Sequence, residues 1–269
     1  MERVEWESLP PAVRDAVQEH IGAVVKIEPI PEGKNSALVA VAHTSTDRVF
    51  LKGARACEPA KAAQLEREAA INPYVTAIAP ALAFEAAEDG WHLLGFEYVC
   101  GHRADYAPGS PDLPKVLETL DALDRLPCPQ GGVQLPWFEA RLSNYAPPQH
   151  LRHFTGRALL HTDLTPGNMR VTPQGAMLVD WATASRGADW VNPADLVLCL
   201  IACGHTPRDA EAAVTDVTSW RNADPEAINA YARTTAATWL ELYFTATHPW
   251  ARAAVKAAQQ WAMHRWETS

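Results

Sequence analysis

The stretch Leu159 to Asp180, LLHTDLTPGNMRVTPQGAMLVD, constrains this chain more than any other. It holds His161-Thr162-Asp163, then Asn168, then Asp180. Pro166 and Gly167 force a turn between Asp163 and Asn168, so both side chains sit on one tight loop. Asn168 to Thr172 and Ala176 to Val179 read as two short extended segments around the turn Pro173-Gln174-Gly175. That hairpin returns the chain, so Asp180 is expected to face Asn168. Taken singly, Asp163 and Asn168 are ordinary turn formers and Asp180 an ordinary helix cap. The ordered set is what a chemical site requires.

A carboxylate, an amide oxygen and a second carboxylate gathered in this way suit phosphoryl transfer. Asp163 would accept or orient the proton of an attacking hydroxyl. Asn168 and Asp180 would give hard oxygen ligands to a magnesium ion bridging nucleotide phosphates. The order H-x-D-x-x-x-x-N, then a hairpin, then an apolar residue and Asp, is the analogue of the protein-kinase catalytic loop. Asp180-Trp181-Ala182 stands where a kinase has Asp-Phe-Gly. ATP and Mg2+ are the cofactors so implied.

The set predicts partners upstream. Val49-Phe50-Leu51-Lys52 is an apolar strand ending in a lysine, either a phosphate contact or a solvated edge residue. In Gln64-Leu65-Glu66-Arg67-Glu68, Glu68 shares the stripe of Leu65 and Ile71 and should face the sheet, as the partner of Lys52. Glu66 lies on an alanine face and is expected to be solvated. Pro31-Glu32-Gly33-Lys34-Asn35-Ser36 joins two predicted strands and matches neither GxGxxG nor a Walker motif. Alone it is a turn; beside Lys52 it becomes a loop over phosphates, with the Ser36 hydroxyl contributing. Phe96 to Gly101 leaves the last strand of the first part of the chain. There the Glu97 carbonyl and the Val99 N–H are placed to bond an adenine edge, which a plain connection between lobes also allows.

Pro11 to Ile21 reads as a helix, and Val24 to Ile27, Leu38 to His43 and Val49 to Lys52 as strands. Glu58 to Asn72 is helical, with Pro73 ending or kinking it. Pro80 to Phe84 and Trp91 to Val99 are strands around Asp89-Gly90. Beyond Gly101 come the helices Lys115 to Leu126, Leu196 to Ala202, Pro207 to Thr215, Glu226 to Phe244 and Trp250 to Arg265. Strands then helices predict an α+β protein of two lobes, a small β-rich N-lobe over 1–99 and a mostly helical C-lobe over 100–269. The cleft between them is the expected ligand site.

Composition narrows the partners. A net charge of −9 argues against a nucleic-acid partner, which would want a basic face. The five cysteines are scattered without CxxC spacing, so neither zinc nor a disulfide framework is expected. The N-terminus lacks an apolar leader, and the longest apolar run, Leu196 to Cys203, is too short to cross a bilayer. A cytoplasmic setting without a membrane partner, as a monomer or weak dimer, is the expectation.

HTDLTPGN, LVDWATA, VFLK and LEREA together resemble the aminoglycoside phosphotransferase family, relatives of the eukaryotic-like kinases. GADWVNPADLVLCLIACGHTP resembles that family's continuation after its metal-binding Asp. The resemblance implies a two-lobed protein-kinase-like fold. It makes Asp163 the catalytic base, Asn168 and Asp180 magnesium ligands, Lys52 the phosphate-binding lysine and Glu68 its partner. His161 would support the loop. Asp195 would bond backbone near it or be an ordinary N-cap. The family includes kinases for choline-like compounds, sugars, amino-acid derivatives and antibiotics. A small-molecule hydroxyl acceptor is therefore implied: an aminoglycoside-like, peptide or nucleoside antibiotic in a resistance role, or a small alcohol, sugar or amino-acid derivative in a metabolic one. Trp181 or Trp190 could wall the acceptor, Asp189 could meet a cationic one, and Arg186 would repel a polycation. A non-catalytic kinase-like binding module would have lost Asp163, Asn168, Asp180 or Lys52, and all four are present.

Overall fold

The structure is a computed structural model and describes residues 3–31, 36–243 and 249–268. It divides into two compact units. The first takes the chain up to Cys100 and adds Gly131–Val133 and Asp180–Thr183. The second takes Gly101–Gln130, Gln134–Val179 and the chain from Ala184 onward.

The first unit runs α1 (Pro11–Ile21), β1 (Lys26–Pro29), β2 (Leu38–His43), β3 (Arg48–Arg55), α2 (Pro59–Val75), β4 (Leu82–Glu88) and β5 (Trp91–Glu97). Its strands form one antiparallel sheet in the order β1-β2-β3-β5-β4. The pleat alternates side chains between two faces. Leu51 and Leu93 lie on one face, in a core with Trp6, Leu9, Val13 and Val17. Leu94 lies on the other, with Leu65 of α2. Lys52 is in register with Leu94, so it projects onto the α2 face.

Among the boundaries that differ from the sequence expectation, three have a direct local cause. Val24 is outside β1 because its N–H donates to Gln18 Oε1 (3.2 Å) at the exit of α1. Pro73 does not stop α2, which continues to Val75; so close to the helix end, its missing N–H removes little of the ladder. Asn72 fixes the exit, donating to Pro80 O (2.8 Å) and accepting from Leu82 N (2.8 Å). That leaves β4 to begin at Leu82. Of the expected turn Pro31 to Ser36, Glu32 to Asn35 lie outside the described residues, and Ser36 is buried.

The second unit contains β6 (His102–Arg103), α3 (Leu113–Asp124), α4 (Phe138–Arg141), α5 (Pro148–Leu151), β7 (Ala158–Leu160), β8 (Met169–Thr172), β9 (Gly175–Leu178) and β10 (Ser185–Gly187). The helices α6 (Val191–Ala202), α7 (Pro207–Ala213), α8 (Thr218–Arg221), α9 (Pro225–Tyr243) and α10 (Pro249–Thr268) follow. Strands β6, β8 and β9 form one small sheet, and β10 pairs with β7. Gly101 is required before β6, because a Cβ there would meet the Val171 carbonyl oxygen at 2.5 Å. Helix α6 starts at Val191 rather than Leu196, since Pro193 is tolerated in a first turn. Asp195 is therefore inside the helix and not its N-cap. An aromatic core gathers Phe154, Trp190, Tyr231 and Trp261, with Tyr231 edge-on to Trp190 (5.7 Å) and to Trp261 (5.9 Å). Trp190 is thus core, and Trp181 is 2% exposed; neither has the open face that an acceptor wall needs. Among the described residues no helix is long and apolar enough to cross a membrane.

The entry to α3 rests on one buried carboxylate. Asp112 Oδ2 accepts from Asp105 N (2.9 Å) and meets His102 Nε2 (2.9 Å). The Asp105 N–H, helped by His102, holds the Asp112 carboxyl below the usual range. A depressed pKa contributes stability above the unfolded value, about 3.9, and loses it as pH falls through the folded value. Asp112→Ala is expected to lower unfolding free energy at neutral pH by about 1.5–3 kcal/mol. Urea titration should show the difference from wild type shrinking in acid.

Candidate active site

Each unit contains a polar cluster of its own, and each forms for local reasons. In the first unit Lys52 is 7% exposed and Glu68 3%. Lys52 Nζ lies 2.8 Å from both Glu68 oxygens and 2.8 Å from Asp180 Oδ1. The helix register that separated Glu68 from Glu66 decides this pairing: Glu68 looks at the sheet, and Glu66 is exposed. A buried charge needs a partner. Burial alone would push the Lys52 ammonium down, but Asp180 and Glu68 outweigh it and hold Lys52 above the ordinary lysine range. Burial lifts the Glu68 carboxyl, against the pull of Lys52, and the Asp180 charge adds to the rise.

Asp180 has φ +66°, a left-handed conformation that a residue with a side chain adopts at a cost. The short helical turn Trp181–Thr183 follows, gripped by two consecutive residues of α2. Trp181 N donates to Glu68 Oε1 (3.2 Å), and Arg67 Nη1 donates to Ala182 O (2.6 Å).

In the second unit, Pro166–Asn168 makes one tight helical turn that brings Asn168 back to Asp163. Asn168 Nδ2 donates to the Asp163 carbonyl (3.0 Å) and to Asp163 Oδ2 (2.7 Å). These bonds orient the amide and leave Oδ1 as its accepting atom. Hairpin β8–β9 then returns the chain, and Val179 N donates to Asn168 O (2.8 Å), one residue before Asp180.

The loop is anchored from beneath. His161 Nε2 lies 3.0 Å from Val179 O; a carbonyl only accepts, so Nε2 carries the proton. The His161 N–H donates to Asn192 Oδ1 (3.1 Å), whose Nδ2 donates to Leu159 O (2.9 Å). Asp195 Oδ2 accepts from Leu164 N (2.9 Å), the backbone bond that the family resemblance implies. Burial raises the Asp195 carboxyl, with that N–H opposing.

Thr162, between His161 and Asp163, has φ +64°, a rare state for a β-branched residue. Arg141 Nη1 donates to its hydroxyl (2.6 Å) and to Ser185 Oγ (3.4 Å). Sequence reading missed both Arg67 and Arg141. Glu97 ends β5, opposite Val49, and its N–H donates to Ala81 O (2.9 Å), while Val99 is half-buried on the connection that follows. Asp189 Oδ1 accepts from Trp190 N (2.9 Å), and the Arg186 guanidinium lies over the Trp137 ring (5.1 Å).

No family model matches this chain, and no curated protein matches it by sequence. Solved structures match it strongly. Choline kinase LicA from Streptococcus pneumoniae aligns with 94% of this chain and 99% of its own, at a TM-score of 0.60 and 16% identity. Aminoglycoside phosphotransferase APH(4)-Ia, as an apo thermostable mutant, aligns with 95% of this chain and 99% of its own, at 0.61 and 14%. A ternary complex of an APH(4)-Ia mutant with AMP-PNP and hygromycin B aligns over 93% and 99%, at 0.60 and 12%. The chain has the fold of the small-molecule kinases. At these identities the likeness is one of fold. It agrees with the aminoglycoside phosphotransferase resemblance read from HTDLTPGN and LVDWATA, and with the expected α+β, protein-kinase-like class.

Proposed function

We propose that this chain is an ATP-dependent phosphotransferase acting on a hydroxyl of a small molecule. The observation that carries the reading is Lys52, buried and held at 2.8 Å by both Glu68 and Asp180. A structural ion pair needs one carboxylate; the second leaves the cluster with an excess negative charge, which suits a cation on Asp180 and would let Lys52 turn a donor to phosphate. In this reading Lys52 binds the nucleotide phosphates and Glu68 holds it in place. Ser36 and the backbone of Glu97 and Val99 complete the nucleotide contacts. The AMP-PNP held by the APH(4)-Ia complex supports nucleotide use.

Magnesium fits the donors present. Among the described residues no cluster of three or more His, Cys, Asp or Glu could hold a metal by itself. The hard oxygens of Asn168 and Asp180 suit an ion that keeps water and phosphate ligands and takes few from protein. Asn168 and Asp180 would hold it, and when bound it would neutralise charge on the β- and γ-phosphates. Asp163 receives or orients the acceptor proton, fixed by the Asn168 amide. The transfer breaks the bond between the γ-phosphorus and its bridging oxygen and forms one to the acceptor oxygen, leaving ADP.

The likeness to the APH(4)-Ia complex with hygromycin B supports an aminoglycoside-like antibiotic as acceptor, and in that reading the chain would serve resistance. The likeness to choline kinase, of equal extent, supports a metabolic acceptor such as a small alcohol, sugar or amino-acid derivative. An ATP-consumption screen over hydroxylated antibiotics and small alcohols, with mass spectrometry of the product, separates the two. A chain that neither binds Mg·ATP nor phosphorylates any of them is not a kinase.

Asp180→Asn and Asn168→Ala are each expected to weaken Mg·ATP binding by about tenfold or more, since even residues behind metal ligands cost that much. The double variant should lose less than the sum, as both act on one ion. Titration calorimetry across magnesium concentrations measures this. Unchanged affinity in both single variants would remove them from the metal site.

A further inference from the structure

We infer that Arg67 is a positioning residue for the metal-binding turn, acting with Glu68 as a two-residue clamp on the peptides after Asp180. The inference rests on the kinase reading and extends it to a residue that touches neither nucleotide nor metal. Asp180 sits at φ +66°, which persists only where surrounding contacts impose it. The Lys52 bond holds the Asp180 side chain. The backbone is fixed by opposite senses of hydrogen bond from one helix. Glu68 accepts from the Trp181 N–H, and Arg67 donates to the Ala182 carbonyl. One such bond is a pivot; two, on successive residues, set position and rotation together.

Arg67 is committed to this contact at a cost. It is half-buried, and its Nε is shielded from solvent with no hydrogen-bond partner among the described residues. Burial lowers its pKa. The short 2.6 Å bond to Ala182 O offsets part of the cost of that buried, unused donor. The helix behind it is firmly seated. Leu65 and Ile71 are buried, and Asn72 ties the C-terminal end of α2 to Pro80 and Leu82. Helix α2 thereby sets both the lysine partner and the metal carboxylate from one rigid element.

The test compares Arg67→Ala with wild type by calorimetry, using AMP-PNP with and without Mg2+. Mg·AMP-PNP should bind about tenfold or more weakly, with a higher magnesium requirement. Metal-free AMP-PNP affinity and the melting temperature of the apo protein should not change. Arg67→Lys, which can still donate to the carbonyl, should recover part of the loss. Arg67→Met keeps the aliphatic stem and carries the same comparison if alanine unfolds the helix. Wild-type magnesium dependence in the variant overturns the inference. So does an equal loss with and without metal, which marks a general structural role. A wild-type protein that fails to bind Mg·AMP-PNP sinks the kinase reading instead.

Discussion

Asp163→Ala is expected to cut turnover of the true acceptor by roughly 10²–10⁴-fold, the usual worth of a general base, while Mg·ATP affinity stays within a few-fold. The asymmetry follows from what the carboxylate can touch. Asp163 acts on the acceptor hydroxyl, whereas the phosphates answer to Lys52 and the metal ligands. The loop should survive the change, because its other ties do not pass through the Asp163 side chain. His161 still meets Val179 O, Leu164 N still donates to Asp195, and Asn168 Nδ2 still donates to the residue 163 carbonyl. Asp163→Asn is the sharper control, since an amide can accept from Asn168 but cannot take a proton. Steady-state kinetics beside nucleotide calorimetry decide it. Near-normal kcat in either variant would take the base assignment away from Asp163. Asn168 should behave differently from both. Its Nδ2 steadies Asp163 and its Oδ1 is the proposed metal ligand, so Asn168→Ala should lose both turnover and metal affinity.

The parts of the fold legible in the sequence are those with a periodic signal. The strands around Lys52 alternate on a two-residue period, and α2 puts Leu65, Glu68 and Ile71 on one stripe. Those two periods were enough to pick Glu68 over Glu66. The loop from Asp163 to Asn168 was legible because Pro166-Gly167 leaves few ways to turn. What escaped was set by backbone. Arg67 and Arg141 were not visible because one bonds a carbonyl and the other a hydroxyl, and neither target has a signature at a fixed spacing. Thr162 at φ +64° runs against local preference, so no propensity argument predicts it. Pro73 misleads for a related reason. Proline marks a helix limit by what it forbids in the interior, and near the ends it forbids little. The core place of Trp190 was not legible, because position along the chain says nothing of the aromatic cluster that it joins.

Lys52→Met should damage stability and nucleotide binding together, and the two losses can be separated. In the wild type the ammonium neutralises two carboxylates at 2.8 Å. Its folded pKa is raised, so its contribution is complete below the unfolded lysine value of about 10.4 and fades only as pH climbs through the folded one. Methionine keeps the stem and removes the charge, leaving Glu68 buried near a second carboxylate. Removing one member of a buried pair costs about 3–5 kcal/mol. In the variant the Glu68 pKa must rise further, because burial and Asp180 then act without opposition. A carboxyl whose folded pKa is raised is tolerated while protonated, below about 4.3, and destabilises as pH rises. The stability deficit should therefore be smaller at acid pH than at pH 8, by urea titration at each. Adding Glu68→Gln removes the stranded charge and should return much of the stability. It should not return Mg·ATP affinity, because the cation that meets the phosphates is still missing. Glu66→Ala should leave both quantities unchanged. A Lys52→Met protein that binds Mg·ATP like wild type would make this lysine a structural ion-pair partner. A double variant that regains both stability and affinity would place the phosphate contact elsewhere in the chain.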